Sequence, residues 1–96
     1  MKYNTITVNP TYVKTICDKY GRIIESSVAI EECAELSQCV SKEIRGEHNV
    51  GHMEEEIGDV LIGISDLIYI YGLDEKKIQR WIDFKLNRQI GRIKED

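Results

Sequence analysis

The segment from Ile57 to Tyr71 constrains this chain more than any other. It carries Ile57, Val60, Leu61, Ile62, Ile64, Leu67, Ile68 and Ile70. At helical spacing these side chains point in almost every direction around the axis. A helix that is apolar all round is expected to be buried. Yet Glu56 and Asp59 occupy its first turns, three residues apart and therefore on one face. Gly63 lies on the same stripe and Asp66 near its edge. Buried carboxylates are costly unless they are paired or bound to a metal, and Gly63 removes a side chain beside these acids. The helix therefore predicts a cation or a partner.

The preceding helix supplies candidates. Ile23, Ile30, Ala34 and Ile44 share one apolar face, with Cys33 and Val40 beside it. Glu31, Glu32 and Glu35 lie off that face, and Glu32 and Glu35 align with Val28 and Cys39. That is the register of an inward-facing seam. Like charges at this spacing repel by a few tenths of a kcal/mol, roughly, even when exposed. The combined pattern is E-E-x-x-E, then twenty residues, then E-x-x-D. If the two helices pack antiparallel, five carboxylates converge. All-oxygen ligands suit a hard cation, Mg²⁺ or Mn²⁺, rather than zinc. Mg²⁺ commonly bridges protein carboxylates to substrate phosphates.

The rest of the chain frames these motifs. A length of 96 residues fits one domain. Residues 1–9 read as an extended tail, in which "TITV" alternates briefly with no second strand elsewhere to pair with. Asn9-Pro10 starts a helix. Helices are predicted over 10–20, 22–45, 53–71 and 75–94, with Gly21 ending or bending the first and Gly46 and Gly72 stopping the next two. Asp74 caps the last. "GEHNVGH", from Gly46 to His52, reads as a polar loop, and His48 and His52 as loop residues rather than a zinc pair. The pattern predicts an all-α four-helix bundle. No run reaches the roughly 18 apolar residues of a membrane span, and the N-terminus has no signal-peptide core. The net charge of −4 argues against general attraction to nucleic acid. Three cysteines without a C-x-x-C pair fit reduced thiols in a cytoplasm, and Cys33 and Cys39 read as small core residues.

Lys85, Arg88 and Arg92 fall on one stripe of the last helix, extended by Lys77 and Trp81. They suit phosphates, or they solvate the apolar seam of Ile78, Ile82, Leu86 and Ile93. Trp81 suits stacking on a base or packing at an oligomer surface.

From about Tyr20 to Ile93 the chain resembles the MazG-like all-α nucleoside triphosphate pyrophosphatases. "YGRIIESSVAIEECAELSQ" and "EEEIGDVLIGISDLIYIYG" look like the family's second and third helices, and "FKLNRQIGRI" like the basic end of its last. The resemblance implies Mg²⁺-dependent hydrolysis of a nucleoside triphosphate to the monophosphate and pyrophosphate. It implies Glu32, Glu35, Glu56 and Asp59 as metal ligands. Glu31 then supports the metal, binds a further one or activates water; Glu31 and Glu35 are the candidate general bases. It implies Lys85 as a phosphate contact, with Gln89 standing where some members have Asn, and a homodimer or homotetramer with sites near subunit interfaces. Two other readings share these acids. Phosphoribosyl-ATP pyrophosphohydrolases have a similar pattern but usually carry His shortly after the second motif, where this chain reads "DVLIGI". A non-enzymatic helical dimerisation or regulatory module is the other.

Overall fold

The computed structural model describes residues 2–95, which are almost entirely helical. Two short strands, β1 (Lys2–Tyr3) and β2 (Ile6–Thr7), pair antiparallel ahead of the helices. The partner strand that "TITV" lacked is thus the residues just before it. Asn4, at φ 55, makes the reversal; Asn tolerates that left-handed conformation better than most residues.

Helix α1 runs Pro10–Ile44. Asn9 caps it as expected, its Oδ1 accepting from Thr11 N at 2.9 Å and Tyr12 N at 3.3 Å. Gly21 breaks it, as expected of a residue that ends or bends the first helix. At φ 87 and ψ 171 the glycine breaks the helical path for one residue, and the helix resumes at once. The two helices predicted over 10–20 and 22–45 therefore both form but meet at a kink within one element, so among the described residues three helical elements stand where four helices were expected. Only a residue without a Cβ takes that backbone readily.

Helix α1 ends in a Schellman turn: Gly46 N donates to Glu43 O and Glu47 N to Lys42 O. Helix α2 runs Val50–Ile70. It starts earlier than predicted, because the Asn49 side chain accepts from His52 N at 3.0 Å and caps it. His52 is consequently helical rather than in the loop. A second Schellman turn at Gly72 closes α2. Helix α3 runs Glu75–Glu95, and Asp74 Oδ1 accepts from Lys76 N at 2.9 Å.

Helices α1 and α2 form an antiparallel hairpin, while α3 packs along neither. The hairpin's far end is tied by Tyr69 OH donating to Asp18 at 2.7 Å, by Lys14 reaching both, and by Ser26 with Tyr71 at 2.8 Å. One chain therefore does not close a four-helix bundle. The predicted apolar face of α1 points outward: Ile23, Ile30 and Ile44 are 72%, 71% and 82% exposed. Cys33 is exposed too, against expectation, whereas Cys39 is buried. Helix α2 is not buried all round either. Ile57, Ile62 and Ile64 face solvent, and its buried positions are Glu56, Gly63, Ser65 and Asp66.

The seam between α1 and α2 is a ladder of layers. Glu25 meets Asp66. Ala29 meets Gly63, where a Cβ on the glycine would lie 3.2 Å from Ala29 Cα. Glu32 meets Asp59, and Glu35 meets Glu56. Cys39 and His52, then Lys42 and Asn49, continue it to the connecting loop. Each step is about one helical turn.

Candidate metal centre

The close approach at Ala29 and Gly63 brings the acidic layers together. Carboxylate oxygens of Glu32, Glu35 and Glu56 all lie within 4.8 Å of one another. Glu56 is buried, Glu32 half-buried and Glu35 exposed, so the group sits at the edge of the seam with one open side. Glu32 Oε2 and Glu56 Oε2 are buried without a hydrogen-bond partner. Asp59 faces Glu32 but stands outside the three-carboxylate group. Glu31 is exposed and takes no part in it.

The electrostatics follow from crowding. Burial, then the charges of Asp59 and Glu35, push the Glu32 carboxyl up to about 7. Burial and Glu35 also raise Glu56, and His52, with Nε2 at 3.5 Å from Glu56 Oε1, partly counters them. Each acid makes its neighbours harder to ionise. The donor set is oxygen only, with two buried oxygens lacking partners, and it fits a hard divalent cation.

Lys85, Arg88, Arg92 and Trp81 are all exposed on α3, and among the described residues none of the three cations pairs with Glu32, Glu35, Glu56 or Asp59. Trp81 packs edge-on against Phe84 at 6.1 Å between ring centroids, and Arg88 lies 5.7 Å over the Phe84 ring.

One cluster was not foreseen from the sequence. Glu25 and Asp66, at 5% and 2% exposure, face each other across the seam with Cys17 beside them. Burial and Asp66 raise the Glu25 carboxyl. Burial, then Asp66, push the Cys17 thiol up to about 12. Asp66 Oδ1 has no partner. The signal was available: Glu25 precedes Glu32, and Asp66 follows Asp59, by seven residues, two turns along the same stripe.

Comparison with family models, curated proteins and solved structures brings no match to this chain.

Proposed function

We propose that this chain is a Mg²⁺-dependent nucleoside triphosphate pyrophosphohydrolase of the MazG-like kind, cleaving between the α and β phosphates. One observation carries the reading: three carboxylates with oxygens within 4.8 Å of one another, two of them holding buried oxygens that lack a hydrogen-bond partner. Glu32, Glu35 and Glu56 would hold the ion, with Asp59 beside Glu32. When bound, Mg²⁺ offsets phosphate charge and lowers the pKa of coordinated water. The protein's own part is to fix the acids. Ala29 against Gly63 sets the helix separation, Glu56 is locked by burial, and exposed Glu35 keeps an oxygen accessible for a proton from attacking water.

The active form in this reading is a homodimer or homotetramer. Helix α3 has no buried residue, and α1 leaves Ile23, Ile30 and Ile44 in solvent. Most helical stability in proteins comes from packing of an amphipathic face, and apolar surface this extensive marks an interface. A second copy would cover both and bring Lys85, Arg88 and Arg92 toward a neighbour's acids. The same exposed surface favours the helical-module reading, and metal dependence separates the two.

The test is a screen of nucleoside triphosphates with Mg²⁺ that resolves pyrophosphate from phosphate. Wild type releases pyrophosphate; Glu35→Gln and Asp59→Asn abolish release. Release of single phosphates rules out α–β cleavage. A melting temperature unmoved by Mg²⁺ or Mn²⁺ with nucleotide favours the non-enzymatic module.

A further inference from the structure

The seam does not stop at the acids. Beyond Glu35 and Glu56 come Cys39 and His52, then Lys42 and Asn49, and there a pocket of about 460 Å³ opens, walled by these four with Glu47 and His48. His52 joins the pocket to the acid cluster, with Nε2 at 3.5 Å from Glu56 Oε1. We propose that this pocket receives the terminal phosphates of the nucleotide and that Lys42 is their binding cation. The proposal rests on the pyrophosphohydrolase reading and fixes the direction in which the substrate lies.

Charge along the seam carries the argument. Four carboxylates lie at one end, and the lining then changes to imidazole and ammonium, with the pocket's one carboxylate, Glu47, paired to Arg45. A ligand that suits both must chelate a cation at its middle and end in negative charge. A metal-bound oligophosphate does both. Lys42 follows Glu35 by seven residues on the stripe shared with Cys39, roughly 10 Å along the axis. An extended phosphate chain and a lysine side chain bridge that distance between them.

The neighbours leave Lys42 available. Glu43 is engaged by His48, with Nδ1 to Oε1 at 2.6 Å, and accepts from Asn49 N at 3.3 Å. Glu47 is paired with Arg45 at 3.4 Å. Among the described residues Lys42 forms no ion pair. Helix α3 packs along neither arm of the hairpin, so Lys85, Arg88 and Arg92 do not reach this pocket within one chain. Placing the phosphate end here turns the base away from the 46–52 loop.

Inorganic tripolyphosphate with Mg²⁺ is the probe, because it carries the phosphates and no nucleoside. Calorimetry of wild type, Lys42→Met and Lys42→Arg reads the subsite directly, and Lys42 is exposed, so these variants fold. Loss of one charge-assisted contact weakens tripolyphosphate binding about tenfold in Lys42→Met, and Lys42→Arg restores most of it. In turnover, KM for the nucleotide rises in Lys42→Met. Equal tripolyphosphate affinity in wild type and Lys42→Met overturns the subsite while the enzyme reading stands. The same holds if only nucleotide binding suffers, which assigns the pocket to the base. If wild type binds neither probe nor nucleotide and releases no pyrophosphate, the underlying reading falls with it.

Discussion

Two acidic layers sit on one seam, on either side of the Ala29–Gly63 contact, and they have opposite characters. Glu32, Glu35, Glu56 and Asp59 form a group with one exposed member and two buried oxygens that lack partners. Glu25 and Asp66 face each other in the most buried part of the hairpin, with a thiol for company. The first has too many charges for any proton to satisfy. The second has two carboxyls, and one shared proton turns a repulsion into a hydrogen bond. The same residue chemistry thus gives a candidate cation site where the seam is open and a proton-sharing pair where it is closed. Accessibility, rather than acid count, decides between them.

The contact between the layers is the largest lever. Valine at Gly63 would place its Cβ 3.2 Å from Ala29 Cα, with two further methyl groups to seat. Overpacking of this kind costs about 1–3 kcal/mol, and the splayed helices separate Glu32 from Asp59. Urea unfolding of Gly63→Val is expected to show that loss together with weakened Mg²⁺ stabilisation. Gly63→Ala is milder, because a gain of up to about 1 kcal/mol in helix propensity offsets the squeeze. A Gly63→Val protein as stable as wild type, with its metal response intact, removes the close contact as the divider of the layers.

Next in size is the pH response. The folded protein holds protons on Glu32 and Glu25 more tightly than the unfolded chain does. Their contribution to stability is therefore full below the ordinary glutamate value of 4.5 and is lost as pH rises; for Glu32 the loss runs up through about 7. In the proposed metal site Mg²⁺ would favour ionised Glu32 and cancel that layer's share, leaving the Glu25 share. Melting curves from pH 4.5 to pH 8, with and without Mg²⁺, should coincide at the acid end and diverge as pH rises. Parallel curves over the whole range would mean that the open layer does not bind the ion.

The open layer was legible in the sequence because its acids lie on motifs whose spacing matches one helix face. The helix caps at Asn9 and Asp74 and the stops at Gly46 and Gly72 were legible from local chemistry. Gly21 was ambiguous, since a glycine that bends a helix and one that ends it differ only in what the next residues do. The seam itself was half legible. Periodicity marked two packed faces on this helix, one with Ile23, Ile30 and Ile44 and one with Glu32 and Glu35; the acidic stripe does face α2, but the isoleucines are exposed. An apolar stripe identifies a face that favours being covered and does not say which chain covers it. Glu25 escaped notice because an isolated glutamate reads as surface until its partner Asp66 is placed opposite.

A smaller effect separates the layers by charge removal. The double variant Glu25→Gln, Asp66→Asn replaces a pair that needs a proton with two amides that need none. Its stability above neutral pH should rise by about 1 kcal/mol, the scale of a hydrogen bond no longer lost to ionisation, and its pH curve should flatten. Its Mg²⁺ response should be unchanged. Glu32→Gln also relieves repulsion in the metal-free protein, but it abolishes the Mg²⁺ response. If the double variant loses metal stabilisation too, the two layers are one site.

The smallest effect reads how well the closed layer is sealed. Cys17 is buried beside Glu25 and Asp66, and its thiol is pushed up to about 12, so at pH 8 almost none of it is thiolate. Cys33 is exposed in the single chain. Iodoacetamide at about pH 8, followed by peptide mass mapping, should leave Cys17 unmodified until urea unfolds the hairpin. Exposure of Cys33 sets the comparison, and its protection would mean that an oligomer covers that face of α1. Labelling of Cys17 in the folded protein at a rate near that of a free thiol would mean that water reaches Asp66. The closed layer would then differ from the open one only in degree, and the proton-sharing pair would lose its physical basis.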